Sequence, residues 1–265
     1  MSDVLSSTVP VITMTGVGIS SLRDDQRVVV DGVHWEIRPG DFWLVAGLQG
    51  SGKTDLLMTL AGLMPPVSGE YRLFGEAMPI YDEVRSDARI RLGLVFEGGQ
   101  LLNHLSVEEN ISLPLRYHRN LSHEEAQPEV FRLLQMLDLH EFAASPPSAL
   151  GRNWQKRAGL ARALALKPEI LLLDNPIVGL DLRHTRWWMA TLSALSHGHP
   201  WLGGRGVTLV VTAADPRLWG GMARQFAVLK DRRFAVLNSW GEVEAQGEEL
   251  VREAIEEPSP EGGKN

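Results

Sequence analysis

The sequence predicts an α/β fold in which a three-layer core is interrupted by a helical insertion. Predominantly apolar segments at residues 42–47, 170–173 and 207–212 indicate buried strands, and helical segments separate them. Strands that are apolar on both faces are typical of a sheet covered by helices on both sides. Residues 98–166 differ because they are helical and polar-faced, which indicates an insertion into the core.

The composition is that of a globular protein and excludes several other classes. The chain has 265 residues, enough for one large domain or two small ones. Its net charge of −7 is unlike that of a dedicated nucleic-acid binder, and no cysteine is available for a disulfide or a cysteine-based metal site. No apolar run approaches the roughly 20 residues that span a bilayer, and the N-terminus lacks a secretory pattern. We therefore expect a soluble, cytoplasmic protein that binds no nucleic acid and contacts a membrane only through a partner.

Local signals predict the remaining elements in chain order. The first 45 residues alternate apolar and polar positions in short runs, which favours strands, with a turn at residues 39–41 (PGD). A helix is predicted over residues 56–64 and a further buried strand over residues 90–96. Ser122, followed by histidine and two glutamates, predicts a helix N-terminus. Residues 253–265 are polar and rich in proline and glycine, so we expect a flexible tail there.

A phosphate-binding loop is predicted directly after the strand at residues 42–47. The chain matches the pattern G-x-x-x-x-G-K-[ST] without a gap, between an apolar strand and a helix. Glycines let the backbone N–H groups point inward, and the helix N-terminus adds partial positive charge. The lysine is expected to reach the β- and γ-phosphates of a nucleotide, and the threonine hydroxyl to ligate Mg²⁺. The residues of this loop are Gly47, Leu48, Gln49, Gly50, Ser51, Gly52, Lys53 and Thr54.

Asp174 is the second candidate ligand of this site. It follows four aliphatic residues, at the carboxyl end of a predicted strand, where an open α/β sheet places its ligand. An apolar strand that ends in aspartate is common by itself, but together with the phosphate loop it indicates a Mg²⁺ ligand opposite Thr54.

The order of these motifs resembles that of the ABC-type ATPases. The stretch over residues 158–181 is similar to the family's signature helix, Walker B strand and D-loop in unbroken order, and the resemblance covers about residues 10–250. The segment FEGGQLLNHLSVEENISLPLRYH is similar to the Q-loop region of ATPases that serve MCE-type lipid transporters. The resemblance implies a RecA-like P-loop core with N-terminal antiparallel strands and a helical insertion subdomain. Its parts would be residues 1–97 and 167–252 for the core, 98–166 for the helical subdomain and 253–265 for the tail.

The resemblance also implies ATP and Mg²⁺ as cofactors, yet the residues that would act on water depart from the family pattern. Asn175 stands where the family has a catalytic glutamate, Ala213 where it has a switch histidine, and Glu97 where it has the Q-loop glutamine. The signature L-S-G-G-Q is replaced by LGRNW at residues 150–154, and the segment ISSLRDD at residues 19–25, near the family's A-loop, offers no aromatic residue to stack on adenine. We therefore predict phosphate binding with weak hydrolysis.

The candidate catalytic residues are Lys53, Asn175 and Glu97, and the candidate metal ligands are Thr54, Asp174 and Glu97. For Glu97 two interpretations remain: it supplies the carboxylate for residual hydrolysis, as a metal ligand or a poor base, or it is a tolerated substitution in an inactive site.

The resemblance leads to three functional interpretations. In the first, the chain is the ATP-binding subunit of an ABC transporter, a homodimer or heterodimer on the inner face of the cell membrane, docked on a transmembrane permease through its helical insertion. In the second, it is a catalytically inactive pseudo-ATPase with a structural or regulatory role. The third, an ABC protein without a transport role, is disfavoured by the single ATPase unit and by the absence of a basic extension.

Some residues are expected to be structural. Lys156, Arg157 and Arg162 share a predicted helix and favour a solvated or subunit-facing surface. Trp154, the last residue of the signature segment, is expected to pack, with a partner contact or nucleotide contact as the alternative. His184 follows the D-loop, and its position does not fit that of a switch histidine.

Overall fold

The chain forms a mixed ten-stranded sheet with helices against it. The structure, a computed structural model, describes residues 9–78 and 87–256. Within these residues the strand order is β5-β4-β1-β2-β10-β9-β3-β8-β7-β6. The strands are β1 (Ile12–Ser21), β2 (Asp24–Ile37), β3 (Phe42–Ala46), β4 (Ser68–Leu73), β5 (Glu76–Met78), β6 (Leu92–Val95), β7 (Ile170–Leu173), β8 (Thr208–Ala213), β9 (Gln225–Lys230) and β10 (Arg233–Leu237).

Helices occupy most of the connections between strands. They are α1 (Lys53–Leu60), α2 (Asp87–Ile90), α3 (Val107–His118), α4 (His123–Met136), α5 (Arg152–Leu164), α6 (Leu182–His197) and α7 (Trp240–Glu256). The serines that precede α3 and α4 each form a capping box with a glutamate three residues later, which confirms the predicted helix start at Ser122. No helix among the described residues is both long enough and apolar enough to cross a bilayer.

The sheet has an antiparallel part and a parallel part. β1 pairs antiparallel with β2 and with β4, and β5 extends this part, whereas β9, β3, β8, β7 and β6 run parallel to one another in that order. Alternate residues of each central strand enter opposite cores. Phe42 and Leu44 pack toward the helices α3 to α6, and Trp43 and Val45 pack toward α1 and the antiparallel strands. The predicted α/β fold with N-terminal antiparallel strands is confirmed.

Most predicted elements are found, with shifted ends. The helix predicted over residues 56–64 begins earlier, at Lys53, and ends at Leu60, because the phosphate loop turns directly into it. The strand predicted over residues 90–96 is limited to Leu92–Val95, since residues up to Ile90 belong to α2. The tail predicted from Glu253 is wrong for its first residues, because α7 continues to Glu256. Residues 257–265 lie outside the described part of the chain.

Candidate functional site

A cavity of about 270 Å³ opens at the carboxyl ends of the parallel strands β3, β7 and β8. Loops that follow neighbouring parallel strands meet at this edge, which is where open α/β sheets bind ligands. The phosphate loop, the segment after β6 and the segments after β7 and β8 all reach it. Its lining residues are Gln49, Gly50, Gly52, Lys53, Thr54, Asp55, Glu97, Asn175, Val178 and Ala214.

The phosphate loop requires glycine at two of its positions for different reasons. Gly52 precedes α1 with φ +96°, in the left-handed region that other residues rarely adopt. Gly47 has no room for a side chain, because a Cβ atom there would lie 2.6 Å from the Ser51 hydroxyl oxygen and 2.7 Å from the Leu229 carbonyl oxygen. The backbone therefore curls tightly in front of the N-terminus of α1, as an anion site requires.

Lys53 places a buried positive charge across this loop. Its side chain is 5% exposed, and the ammonium donates hydrogen bonds of 2.6 Å to the carbonyl oxygens of Gly47 and Leu48. Burial lowers the pKa of Lys53 to about 8, although the nearby carboxylates of Asp174 and Glu97 oppose this shift. Lys53 is the cationic residue among those that line the cavity.

Thr54 and Asp174 meet on the other side of the cavity floor. The Thr54 hydroxyl donates to Asp174 Oδ2 at 2.7 Å, and the second carboxylate oxygen accepts from the Thr212 hydroxyl at 2.8 Å. Adjacent ligands of an octahedral Mg²⁺ ion lie about 2.9 Å apart, given metal–oxygen distances of 2.0–2.1 Å. A hydroxyl and a carboxylate at this separation fit Mg²⁺, with nucleotide phosphates and water as further ligands.

Asn175 and Glu97 come together beside Asp174. The Asn175 amide nitrogen lies 3.3 Å from Asp174 Oδ1 and 3.4 Å from Glu97 Oε2, and the Asn175 backbone N–H donates to the Thr212 hydroxyl at 3.0 Å. The structure thus places at one point the two residues at which the sequence departs from the family's amide and carboxylate pattern. A carboxamide there donates to both carboxylates but cannot accept a proton from water.

The remaining departures lie farther from the cavity. Ala213 ends β8, and its backbone carbonyl accepts from the N–H of Gly47, so its role is structural. Gly151 is the N-cap of α5 without a side-chain cap. The side chain of Arg152 is exposed and lies against Gly179. Residues 150–154 do not contribute to the cavity lining.

Trp154 packs within its own chain. Its ring centre lies 5.0 Å from that of Phe142 and 6.1 Å from that of His184, and the Arg157 guanidinium stands 4.5 Å from it. His184 pairs with Asp181, whose carboxylate caps α6. The packing interpretation of Trp154 agrees with these contacts.

The expectation of a solvated or subunit-facing surface is wrong for Lys156 and Arg157. Lys156 is 1% exposed and Arg157 is 4% exposed. The guanidinium of Arg157 lies over the Trp187 ring at 3.5 Å and donates to Asp138 at 2.9 Å. Burial lowers the pKa of Lys156 to about 8. Sequence spacing could have predicted the burial of Lys156, because this residue stands one and two helical turns before Leu160 and Leu164, which are both fully buried.

The hairpin between β1 and β2 contacts Asp55, one of the residues that line the cavity. The N–H of Leu22 at its turn donates to the Asp55 carboxylate at 2.7 Å. No aromatic residue stands between Gly18 and Asp25. The turn of this hairpin therefore carries the aliphatic side chain of Leu22 and no aromatic residue.

Comparison with known families and proteins agrees with this geometry. The model of the ABC transporter family matches residues 30–178. The phosphonates import ATP-binding protein PhnC of Trichormus variabilis is 32% identical over 228 residues, which cover 83% of this chain and 89% of the relative. The intermembrane phospholipid transport system ATP-binding protein MlaF of Escherichia coli K12 is 29% identical over 237 residues, 89% of this chain and 86% of the relative.

Longer relatives and solved structures show the same similarity. The spermidine/putrescine import ATP-binding protein PotA of Trichodesmium erythraeum is 35% identical over 220 residues, 82% of this chain, but the chain spans only about half, 54%, of that relative. The dimeric, post-hydrolysis structure of the ATP-binding cassette MJ0796 with ADP and Pi aligns with a TM-score of 0.74 and 26% identity, covering 86% of this chain and 99% of that chain.

Proposed function

The chain belongs to the ABC transporter family as one of its ATP-binding members, and on that premise we propose that it binds Mg²⁺-ATP and couples nucleotide-driven dimer closure to a membrane permease. One observation carries this proposal: Lys53 and Thr54 line a single cavity at the carboxyl edge of the parallel strands, and the Thr54 hydroxyl donates to Asp174 at 2.7 Å. The phosphate loop would bind the β- and γ-phosphates through its N–H groups and the Lys53 ammonium. Thr54 and Asp174 would hold Mg²⁺, which neutralises charge on the phosphates.

Hydrolysis is proposed to be weak. General-base catalysis typically contributes 10²–10⁴-fold to a rate, and the Asn175 amide cannot accept the proton of an attacking water. Ala213 brings no polar side chain to the end of β8. Glu97, beside Asn175, is the carboxylate left to ligate the metal or to act as a poor base.

The helical part of the chain is the proposed contact to the permease. On α3 and α4 the side chains of Tyr117 and Phe131 are 80% and 55% exposed, and Leu102, just before α3, is 42% exposed. Large apolar side chains in solvent are typical of contact surfaces when they cluster. In this proposal residues 98–166 form the docking subdomain between the two core segments 1–97 and 167–252, and the subunit is cytoplasmic, peripheral on the inner face of the membrane.

A second candidate function is a pseudo-ATPase, in which ATP stabilises the assembly without turnover. Asn175 favours this candidate, because a carboxamide that cannot accept a proton stands beside the carboxylates of Asp174 and Glu97. Both candidates share the nucleotide site and differ only in whether the bound ATP is hydrolysed.

Steady-state phosphate release separates the two candidates. The complex is purified from membranes through a tag on this chain, so that its natural partners are retained, and is compared with the Lys53→Ala complex. Phosphate release above the Lys53→Ala level supports a transporter ATPase, and release equal to it with intact ATP binding supports the pseudo-ATPase. Absence of ATP binding by the wild-type complex would contradict both. Recovery of the chain without any membrane protein would contradict the permease partner.

A further inference from the structure

Lys156 is a buried cation that the proposed chemistry does not use. It lies in the second turn of α5, does not line the cavity, and is 1% exposed. Its ammonium donates to three carbonyl oxygens, those of Asn175 at 3.1 Å, Pro176 at 3.1 Å and Val178 at 2.9 Å. An ammonium has three N–H donors, so every one of them is engaged in the same short segment.

This segment determines where the Asn175 amide points. Asn175 has φ +41°, in the left-handed region, and its carbonyl also accepts from the N–H of Val178 at 3.2 Å. The three carbonyls turn toward Lys156 on the inner side, while the side chains of Asn175 and Val178 line the cavity on the other. Asparagine adopts this conformation more readily than most non-glycine residues, and the contacts of its carbonyl oxygen with Lys156 and Val178 fix it here.

The same helix also holds the segment that carries Glu97. Arg162, farther along α5, donates to the carbonyls of Gly99 at 3.0 Å and Gln100 at 2.8 Å. A Cβ atom on Gly159 would lie 2.8 Å from the Gly99 Cα atom, so helix and segment are in direct backbone contact. Both segments that meet at the metal-binding oxygens are therefore fixed to α5.

We propose that Lys156 is a positioning residue that holds the Asn175 amide against Asp174 and Glu97, so that a movement of α5 reaches the proposed Mg²⁺ site. The inference rests on the proposed function, since it concerns the metal-dependent part of nucleotide binding. Lys156 touches neither the nucleotide nor the metal. Its effect passes through the segment from Asn175 to Val178, and the measurable consequence is a change in what Mg²⁺ adds to ATP affinity.

The test compares ATP affinity with Mg²⁺ and with EDTA for wild type and Lys156→Met, by calorimetry on the full chain. Methionine keeps the length and removes the charge and the donors. We expect the gain in affinity that Mg²⁺ provides to fall about tenfold, as when groups that orient metal ligands are removed, while affinity in EDTA stays unchanged. Lys156→Arg, which retains charge and donors, should restore most of the gain. Lys167→Met is the matched control, since Lys167 contacts Glu129 and Trp201 and does not line the cavity.

The outcomes separate this inference from its premise. Equal loss of affinity with and without Mg²⁺ would indicate a plain charge effect and overturn the inference, as would an unchanged ratio. In an Asn175→Ala background, Lys156→Met should have no further effect on the ratio, and an undiminished effect would also overturn it. If Lys156→Met does not fold by circular dichroism, Lys156→Gln takes its place. A wild type without Mg²⁺-dependent ATP binding would overturn the proposed function and the inference together.

Discussion

The two sides of the cavity differ in how closely they follow the ABC ATPase pattern. On the phosphate side, the loop from Gly47 to Thr54 matches the family motif at every fixed position, and Asp174 lies within hydrogen-bonding distance of it. On the water side, Asn175 and Glu97 exchange the family's carboxylate and amide, and Ala213, which does not line the cavity, stands where the family has a switch histidine. The residues proposed to bind phosphate therefore keep the family pattern, whereas the residues proposed to act on water do not.

The largest effect is expected on the phosphate side. Lys53→Ala removes the cation that lines the cavity, so ATP affinity should fall by at least about 100-fold, since charged hydrogen bonds to phosphate are among the strongest. Calorimetry on the purified chain measures this loss. Lys167→Ala, a change of the same kind away from the cavity, serves as control. An ATP affinity that Lys53→Ala leaves unchanged would contradict the assignment of the phosphate side, because Lys53 would then not contribute to phosphate binding.

The next effect concerns the water side. Asn175→Glu introduces a general base beside the oxygens of the proposed Mg²⁺ site, and the phosphate release of the assembled complex should rise by about tenfold or more. The rise should stay below the full range for general bases because Ala213 is unchanged. ATP affinity measured in EDTA should change little, because the phosphate loop is untouched.

Glu97→Gln is the companion variant in this measurement. If wild type turns over and Glu97→Gln leaves the rate unchanged, Glu97 is not a substitute carboxylate. If the Asn175→Glu complex releases no more phosphate than the Lys53→Ala complex, the missing general base is not the only cause of weak hydrolysis.

A third prediction tests whether the water side depends on the close approach of α5. Gly159→Ala places a Cβ atom 2.8 Å from the Gly99 Cα atom, and this overlap should lower the free energy of unfolding by about 1–2 kcal/mol, despite the better helix propensity of alanine. Denaturant unfolding measures it. Gly98→Ala is the control, because a Cβ atom there meets nothing within 4 Å, and its effect should stay within about 0.5 kcal/mol. A Gly159→Ala variant as stable as wild type would show that the segment around Gly99 can move away from α5 without a loss of stability.

The smallest expected effect concerns the nucleotide base. Aromatic stacking is worth roughly 1–3 kcal/mol per base, and the β1–β2 hairpin presents Leu22 and no aromatic residue. ATP and GTP should therefore bind within about tenfold of each other, or roughly 1.4 kcal/mol. Competition between the two nucleotides in one binding assay gives the ratio directly. A strong preference for ATP would mean that another residue recognises adenine.

Local pattern was sufficient for the parallel strands and the phosphate loop, and insufficient for the buried cations. The strands β3 and β7 are continuous apolar runs, β8 is apolar apart from two threonines, and the loop is a contiguous motif, so neighbours in sequence determine them. Lys156 looks like a surface residue because charged side chains usually are. Its carbonyl partners begin 19 residues later, at Asn175, and only the tertiary structure shows that they surround it.

The sequence predicted which residues form the site better than it predicted how these residues contact one another. The phosphate-loop motif and the strand that ends at Asp174 placed Lys53, Thr54 and Asp174 in one site. The contact of the Asn175 amide with Glu97, by contrast, joins positions 78 residues apart and results from the pairing of β6 with β7. The β1–β2 hairpin could not be placed beside Asp55 from sequence, since that contact arises from the folding of the antiparallel strands over α1.

Because Asn175 has a positive φ, a change from glutamate to asparagine at this position and the reverse change differ in their effect on stability. Asparagine is several-fold enriched among the non-glycine residues that adopt this conformation. A glutamate at the same position would acquire a base and would also strain the backbone, so a gain in turnover would come with a lower melting temperature. A lineage that had accepted asparagine here would gain stability at that step. Return to glutamate would then first require a stabilising change elsewhere. The backbone conformation therefore favours the change from glutamate to asparagine over its reversal.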